Sequence, residues 1–503
     1  MPLPQPKRVA VIGGGCAGVT CFWALQHSVH DVHLFEASSE LGGRIKTVPF
    51  EYDEARVDVN TQSSCFNIEA SPNFVSLLRC LGISTSPFSI IFGASDGLNS
   101  YQWGCSILEN VMLRLWCLCS LETYRILFDI IRLKYLALDI LIDRALFSSQ
   151  HRSRHSSNAY DYLFNEGFSS SFRDKYLAPL LSTLWATNAG RFLPRLSVRD
   201  LARFLHDHDL LRIRKFSTPW RRMDVTASQF VQRMAGSFPA SKVHLGTKVQ
   251  KVKRTEKGRY NIFTSNSEKM DFDHVIFAVD SDETIRLLQP TKSAEEREIL
   301  QDIRITKNIA VLHSDNSSIS NAPHNYIISP DHNLNNQPPI ACLTHNVNTL
   351  QNISTTLAGP ISITVNPFNP PHPTLVQAVW EFTDTEISTT TLHALRRVSS
   401  IQNENGLSYC STWTGRGFSE DAVTGGLRVA VEHLGADVPF EVESHQGDLD
   451  NGKSEAWLVM GIRDHLVLTA LGLVRVYARV SELVLVLLRL FWVWITRDRT
   501  WKR

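Results

Sequence analysis

The sequence predicts an α/β protein with three parts: a discontinuous Rossmann-like domain, an α+β domain made of the intervening segments, and a C-terminal apolar helix. Three stretches of the chain predict this organisation. Residues 9–44 indicate a strand, a glycine-rich turn and a helix, residues 409–435 indicate a second glycine turn before a helix, and residues 465–496 form a long apolar run. The length of 503 residues allows two or three compact units.

The first stretch carries a glycine fingerprint in the context that dinucleotide binding requires. The apolar run Val9–Ile12 predicts a buried parallel strand, and the residues after it fit the pattern G-x-G-x-x-G. In that pattern Gly13 allows the tight turn, Gly15 lets a pyrophosphate approach the backbone, and Gly18 lets the helix pack against the strand. The N-terminus of that helix would face the phosphates. The predicted binding residues here are Gly13, Gly15, Cys16, Ala17 and Gly18.

A carboxylate at the end of the second predicted strand completes the motif. The run Val32–Phe35 predicts that strand, and Glu36 follows at the position where an acid accepts hydrogen bonds from a ribose 2′-OH. Because a carboxylate repels a 2′-phosphate, NADP is disfavoured at this position. A glycine-rich turn alone is more often an ordinary turn, but the strand, the helix and the acid together predict a nucleotide site.

The residues after Glu36 point to one kind of nucleotide through a resemblance. Leu41, Gly42, Gly43 and Arg44 form a G-G-R extension, and the combined pattern resembles the flavin-containing amine oxidase superfamily. This resemblance implies non-covalent FAD as the cofactor, with Gly42, Gly43 and Arg44 along its diphosphate and ribityl chain. A fixed guanidinium suits such an anion.

Two later segments extend the resemblance. The residues around Val249 look like the superfamily strand whose backbone holds the adenine, and residues 273–279 predict a further buried strand. Tyr409–Gly435 resembles the C-terminal flavin segment: a short strand, a glycine turn, an acidic pair and a helix. A helix N-terminus directed at the flavin can stabilise the negative charge that develops on reduction. The binding residues that the resemblance implies here are Val249, Gly417, Glu420, Asp421 and Val423.

The chain is most similar to a branch described as predicted NAD/FAD-binding, amine-oxidase-like proteins, whose relatives are fused to or encoded beside cyclopropane fatty-acid synthases. That association implies a lipid-like or polyketide-like substrate. The chain departs from the branch at Asn60, Ser419, Asp280 and residues 226–228, which puts a shared reaction in doubt but not the FAD site. Lys307 is the candidate counterpart of the lysine that many amine oxidases hold near flavin N5. The alternative for Lys307 is an ordinary surface lysine.

The predicted domains follow from these segments. The FAD-binding domain comprises 1–66, 224–300 and 400–440, the substrate domain comprises 67–223 and 301–399, and a C-terminal tail covers 441–503. Long loops are expected where Asn, Pro, Ser and Thr are abundant, at 314–340 and 366–374. Helices are expected at 73–82, 228–234 and 283–288.

Composition argues against several classes of function. Lys and Arg (51) balance Asp and Glu (50), so no basic surplus indicates nucleic-acid binding. The nine cysteines include no C-x-x-C pairs, which predicts free thiols in a reducing compartment.

His206 and His208 flank Asp207 and Asp209, but one local segment supplies no closed ligand set, so we predict no metal and a polar cap over a substrate channel. The first strand begins close to Met1, so we expect no signal peptide and a cytoplasmic location.

Two apolar helical stretches raise the question of membrane contact. Residues 107–144 carry a polar stripe at helical spacing, which favours a half-buried helical pair of the substrate domain. Residues 465–496 also carry charges at helical spacing, and these leave no uncharged run long enough to span a bilayer. Arginines, tryptophans and a basic end suit a peripheral membrane contact, while packing on the protein itself or in a dimer is the alternative.

The predicted function is that of an FAD-dependent oxidoreductase. Hydride would pass from a substrate C–H to the flavin, with a lipid-like, polyketide-like or amine small molecule as substrate. One alternative is a redox-neutral FAD-dependent isomerase of an unsaturated lipid or polyene, which would show no net oxidation. The other is a non-catalytic FAD-binding partner of a lipid-modifying enzyme, whose flavin would never be reduced by substrate.

Overall fold

The structure is a computed structural model. It describes residues 5–62, 65–95, 100–104, 120–142, 158–185, 193–211, 218–288, 293–316, 324–328, 341–443 and, apart from 468 and 475, residues 466–476. The first part of the predicted helical stretch at 107–144 and the tail beyond residue 476 therefore lie outside the described residues.

The described α-helices, numbered in chain order, are α1 Cys16–Leu25, α2 Pro72–Cys80, α3 Leu121–Ile142, α4 Ala159–Asn165, α5 Ser170–Phe172, α6 Ala178–Trp185, α7 Val198–Asp207, α8 Ala227–Ala235, α9 Ser281–Leu287, α10 Ala294–Asp302, α11 Val347–Gln351, α12 Thr355–Ala358, α13 Thr389–Arg397 and α14 Ser419–Arg428. The predicted helices at 73–82, 228–234 and 283–288 correspond to α2, α8 and α9 and are confirmed.

A five-stranded parallel sheet is the centre of the Rossmann-like domain. In spatial order its strands are β10 Val243–His244, β2 Asp31–Phe35, β1 Arg8–Ile12, β14 His274–Phe277 and β20 Leu407–Tyr409. Every adjacent pair is parallel. Strands from all three predicted segments of the FAD-binding domain thus meet in one sheet, while the domain boundaries themselves stay a prediction.

The first and last helices of this domain touch at backbone distance. A Cβ atom on Gly426 of α14 would lie 2.5 Å from the carbonyl oxygen of Ala17 in α1. A larger side chain would force the two helices apart, because packed interiors do not yield to an added methyl group. The fingerprint helix and the C-terminal flavin segment are therefore fixed against each other.

A seven-stranded sheet forms most of the substrate domain. In spatial order its strands are β19 Val376–Thr385, β15 Ile305–His313, β18 Ser362–Val365, β17 Ala341–Asn346, β16 His324–Ile328, β7 Ile91–Ser95 and β8 Ser100–Gly104. The pair β16 and β7 is parallel and the other adjacent pairs are antiparallel. The expectation of a continuous loop over 314–340 is wrong, because this segment contains β16. The sequence on both sides of β16 is rich in Asn and Pro, so composition alone predicts a loop here.

Three smaller sheets connect the two large ones. They are the hairpin of β3 Thr47–Tyr52 and β4 Ala55–Asn60, the sheet of β5 Cys65–Asn67, β9 Trp220–Met223 and β6 Thr85–Pro87, and the meander of β11 Val249–Arg254, β12 Tyr260–Thr264 and β13 Lys269–Phe272.

The long helix α3 buries two charged residues of its polar stripe, Asp129 and Arg132, inside the protein. The Asp129 carboxylate accepts hydrogen bonds from the backbone N–H and the hydroxyl of Ser169, at 2.9 and 2.7 Å. The Arg132 guanidinium pairs with Glu166 at 2.9 Å. Buried charges persist where such partners satisfy them. These contacts support the interpretation of α3 as a half-buried helix of the substrate domain.

Among the described residues, no helix is both long and apolar enough to cross a membrane.

Candidate functional site

The fingerprint turn leaves room for a ligand at one glycine and none at two others. Gly13 has φ +108°, and a Cβ atom there would lie 2.5 Å from the carbonyl oxygen of Ala278. A Cβ atom on Gly18 would lie 1.9 Å from the carbonyl oxygen of Gly13. A Cβ atom on Gly15, in contrast, would meet no protein atom within 4 Å. Gly15 therefore faces open space at the start of α1, as the pyrophosphate role requires.

The N-terminus of α1 is suited to a diphosphate. Its first turn carries no acidic residue, and Gly15 at the N-cap supplies no side chain to the free N–H groups. Burial raises the pKa of the Cys16 thiol to about 12, so this side chain stays uncharged beside the helix end. Ala17 is buried next to it. Unpaired backbone N–H groups and the helix dipole favour an anion here.

Glu36 directly follows β2, beside this turn. One carboxylate oxygen accepts the backbone N–H of Gly14 at 2.7 Å, and the other accepts the N–H and hydroxyl of Ser38 at 2.8 Å each. The carboxylate is thus fixed next to the glycine turn, where the fingerprint places a ribose. The segment before β11 runs alongside, since the N–H of Thr247 donates to the carbonyl oxygen of Glu36 at 2.8 Å. Val249 follows with its side chain buried.

The second glycine pair closes the same cradle. The N–H of Gly42 donates to the carbonyl oxygen of Gly14 at 2.7 Å. Gly43 has φ +58°, and a Cβ atom on it would lie 2.9 Å from the Cα of Gly15. A diphosphate at Gly15 would therefore lie between two turns that present bare backbone to it. This pocket of glycine backbone fits the phosphate part of FAD.

Arg44 makes a contact that the sequence does not predict. Its guanidinium lies 2.8 Å from the Asp384 carboxylate and donates to the carbonyl oxygen of Thr383 at 2.7 Å. It also lies over the Phe382 ring, 4.8 Å from the ring centre. Arg44 also borders the cavity beside Gly43, so its place along the diphosphate stays a prediction, and the acid of β19 holds its guanidinium at the substrate sheet.

A cavity of about 860 Å³ lies between the glycine cradle and the substrate domain. Gly43 and Arg44 border it on one side, and residues 415–421 before and at the start of α14 border it on another. One face of the seven-stranded sheet supplies a third wall, and the ends of α6 and α7 supply a fourth. Ligand sites of this kind are enclosed and mainly apolar, with a few polar groups that orient the ligand.

The start of α14 is shaped by its acidic pair. The Asp421 carboxylate accepts the N–H of Phe418 at 2.8 Å and so caps the helix. Gly417 has φ +94° and open space around it, facing the cavity. Glu420 is buried and accepts the N–H groups of Asn73 and Phe74 at 3.2 and 2.7 Å.

Two predicted residues of this segment serve the protein itself. Although hydrogen bonds favour its ionised form, burial raises the pKa of Glu420 to about 7. Glu420 borders the cavity, yet both of its oxygens cap α2. Val423 is fully buried in the hydrophobic core next to α1 and does not line the cavity. Cys410 is likewise fully buried, which fits a flavin without a covalent link.

Lys307 is exposed and does not border the cavity, which favours the alternative of an ordinary surface lysine. Along β15 the side chains of Asn308 and Ala310 are buried, whereas Lys307 and Ile309 are exposed. Since successive side chains of a strand point to opposite faces, Lys307 faces away from the cavity that Ala310 borders.

The histidines and acids at the end of α7 form no metal site. No group of three or more such side chains that could hold a metal ion exists in the part of the chain that the structure describes. Asp207 pairs instead with Arg416 at 3.1 Å, and the His208 ring lies 5.2 Å from that of Phe418. Both contacts join α7 to the flavin segment, and His206, Asp207 and His208 border the cavity as the predicted polar cap.

The residues that sequence reasoning missed are on the sheet wall of the cavity. Ala378, Trp380 and Phe382 alternate along β19 and face the cavity with His345 of β17. The period-two pattern of β19 was the available signal. Burial lowers the pKa of His345 to about 4, so its imidazole is neutral at neutral pH. This wall therefore combines an aromatic surface with one uncharged hydrogen-bonding group.

Comparisons with known proteins identify the family. The family model of flavin containing amine oxidoreductases matches residues 16–313. L-amino-acid oxidase of Pseudechis australis is 46% identical over 49 residues, which are 10% of this chain and 10% of that protein. The matched stretch thus spans about a tenth of the length of the curated relatives.

Solved structures agree with the fold. Cyclohexylamine oxidase from Brevibacterium oxydans IH-35A is 15% identical, with a TM-score of 0.59 over 85% of this chain and 98% of that one. A CLA-producing fatty acid isomerase from P. acnes is 11% identical, with a TM-score of 0.57 over 85% and 98%. At these identities the likeness is one of fold.

The glycine cradle, Glu36 and the matching flavoprotein model together establish FAD as the cofactor. The family model covers more than half of the sequence, and the chain belongs to the flavin-containing amine oxidoreductase family.

Proposed function

We propose that this protein is an FAD-dependent oxidoreductase that oxidises an apolar, lipid-like small molecule. The observation that supports the substrate class is the character of the cavity beside the glycine cradle. Its sheet wall includes Ala310, Ile363, Val365, Trp380 and Phe382, which favour hydrocarbon over charged groups. The charged residues of this wall are Glu381 and Asp384 of β19, and Asp384 is paired with Arg44.

The chain's own residues bind the cofactor and orient the substrate. FAD, when bound, supplies the acceptor for a hydride. The turns at Gly15 and Gly43 leave space for its diphosphate, and Gly417, ahead of α14, borders the cavity with open space around it. The aromatic wall excludes water and positions an apolar chain. The neutral imidazole of His345 can donate or accept one hydrogen bond from a polar group of the substrate.

A second candidate is a redox-neutral isomerisation of an unsaturated lipid. The same apolar surface of Trp380, Phe382 and the side chains of β15 and β18 favours it, since a hydrocarbon chain fits there whether or not the reaction is an oxidation. The structurally similar P. acnes protein is a fatty acid isomerase by name. In this case substrate and product would have the same oxidation state.

One experiment separates these reactions. The purified protein should absorb near roughly 370 and 450 nm, as a flavoprotein does. It is then mixed without oxygen with unsaturated fatty acids, with cyclohexylamine or with L-amino acids. Bleaching by a fatty acid alone supports the proposal, and bleaching by an amine alone overturns the lipid substrate. A fatty acid that is converted without bleaching or peroxide supports the isomerase.

The variant H345L, in which the hydrogen bond is lost and the apolar wall kept, should retain the flavin spectrum and lose turnover.

A further inference from the structure

Lys46 places a positive charge at the border of the cavity. It lies shortly after the second glycine pair and directly before β3. The N–H of Thr61 donates to its carbonyl oxygen at 2.9 Å, so the pairing of β3 with β4 extends by one step to Lys46. Because side chains alternate along paired strands, the side chains of Lys46 and Val48 share one face. Both residues border the cavity.

The other cationic side chains at the cavity have partners of their own. Arg44 pairs with Asp384 at 2.8 Å and Arg416 pairs with Asp207 at 3.1 Å. Arg203 likewise has an interaction partner.

Lys46 differs from these three arginines. Its side chain is partly buried, yet no carboxylate of the described residues lies within 4.0 Å of its ammonium group. A charge that is drawn out of water is unfavourable unless an opposite charge compensates it. The described part of the chain therefore leaves this positive charge for a ligand to neutralise.

An apolar surface lies beside this charge. Val48 packs in the same hydrophobic cluster as Trp380 and Phe382 of the sheet wall. A ligand that matches both features has a hydrocarbon part and an anionic end. One ammonium group matches a carboxylate, which carries a single negative charge, better than a phosphate monoester, which carries nearly two. The hydrogen bonds of such a pair are charge-assisted, and the attraction is stronger where water is partly excluded.

We propose that Lys46 binds the carboxylate of an amphipathic substrate, such as an unsaturated fatty acid, whose hydrocarbon chain lies along Val48, Trp380 and Phe382. The inference rests on the lipid-like substrate of the proposed function and specifies its charged end. Lys46 is then a specificity-determining residue, because it selects the free acid over an alcohol with the same hydrocarbon chain.

Calorimetric titration of the FAD-loaded protein tests this selection. Undecylenate and undecylenyl alcohol share one unsaturated chain and differ in the charge of the end group. The wild type should bind the acid at least about tenfold more tightly than the alcohol. The variant K46M should lose this preference through weaker binding of the acid, while its affinity for the alcohol stays unchanged. K46R keeps the charge and should retain most of the preference.

The matched control is K269M. Lys269 is exposed on β13 and does not border the cavity, so this variant removes the same charge from a remote surface. It should keep the full preference for the acid. An unchanged flavin spectrum and thermal midpoint in each variant show that the fold is retained.

Other results would overturn the proposal. Equal binding of acid and alcohol by the wild type, no binding of either, or an unchanged preference in K46M would remove the carboxylate from Lys46. A K46M protein that binds FAD more weakly and keeps the preference for the acid would assign the ammonium to the diphosphate of the cofactor.

Anaerobic bleaching of the flavin reports on the proposed oxidation separately. A preference for the acid that depends on Lys46, without bleaching, would support the binding role and reject the oxidation. Bleaching by undecylenate at the same rate and affinity in K46M and the wild type would support the oxidation and reject the binding role.

Discussion

The Arg44 guanidinium lies 2.8 Å from the Asp384 carboxylate and so ties the cofactor cradle to the edge strand of the substrate sheet. Arg44 follows the second glycine pair, whereas Asp384 belongs to β19, whose side chains form the aromatic wall of the cavity. One ion pair therefore couples the position of the cradle to that of the substrate wall.

Loss of this ion pair should have a small but measurable cost. In D384N the guanidinium loses its charged partner, and we expect the free energy of unfolding to fall by about 1 kcal/mol, since both groups are partly exposed. The control is E51Q, which removes the partner of Arg56 from a more exposed pair with a separation of 4.0 Å. Chemical denaturation of both variants measures the difference. Equal stability of D384N and E51Q would show that the pair at Arg44 contributes nothing.

Two glycines of the fingerprint should respond differently to the same substitution. G15A adds a methyl group where no protein atom lies within 4 Å, so the protein should fold normally and bind FAD at least about tenfold more weakly. G18A adds it 1.9 Å from the carbonyl oxygen of Gly13 and should lower stability by about 3 kcal/mol. Titration of the apoprotein with FAD and thermal unfolding measure the two effects. Normal FAD affinity in G15A would disprove the position assigned to the diphosphate.

Glu420 should make stability depend on pH. Its folded pKa of about 7 lies above the ordinary value of 4.5 that a glutamate has in the unfolded chain, so between these values the folded state binds more protons than the unfolded state. Stability is therefore highest below the unfolded pKa and falls as pH rises toward 7, by up to about 3 kcal/mol. E420Q should flatten this part of the profile in denaturation experiments, and E51Q should leave it unchanged. A wild-type profile that rises over this range would contradict the assignment.

His345 should remain neutral in the working range of the protein. Desolvation on burial lowers its pKa to about 4, so the ring should protonate only under acidic conditions. Histidine NMR spectra recorded between about pH 4 and pH 8 measure this, with the His345 signal assigned by its absence in H345Q. Titration of His345 near the value of about 6.5 for a free histidine would place the ring in water and remove it from the cavity wall.

The sequence was sufficient for the cradle because its signals are local. Gly13, Gly15 and Gly18 lie within six residues at the junction of β1 and α1, and Glu36 directly follows β2, so spacing alone places them together. The parallel sheet could likewise be predicted from short apolar runs with glycine and acid at their ends.

Residues whose role depends on tertiary partners could not be assigned in this way. Lys307 differs from its neighbour Asn308 only in the face of β15 on which it lies, and a shift of one position reverses that face. Glu420 has the residue type expected of a cofactor ligand, but the N-terminus of α2, far away in the chain, takes up both of its oxygens. Asp384 lies in a segment without a recognisable motif, so nothing in the sequence indicated its ion pair with Arg44.

The contact between Gly426 and Ala17 determines when the protein can complete its folding during synthesis. During synthesis, the first strand and the glycine turn emerge long before the segment that holds them in place. Contacts between such distant positions form slowly, because a large loop must close before they stabilise anything. An incomplete chain that stops before α14 would expose the apolar side of α1 and hold a flavin poorly, if at all. Absorbance of bound flavin would therefore appear late in folding. Its rate of appearance would report the rate at which α14 packs against α1.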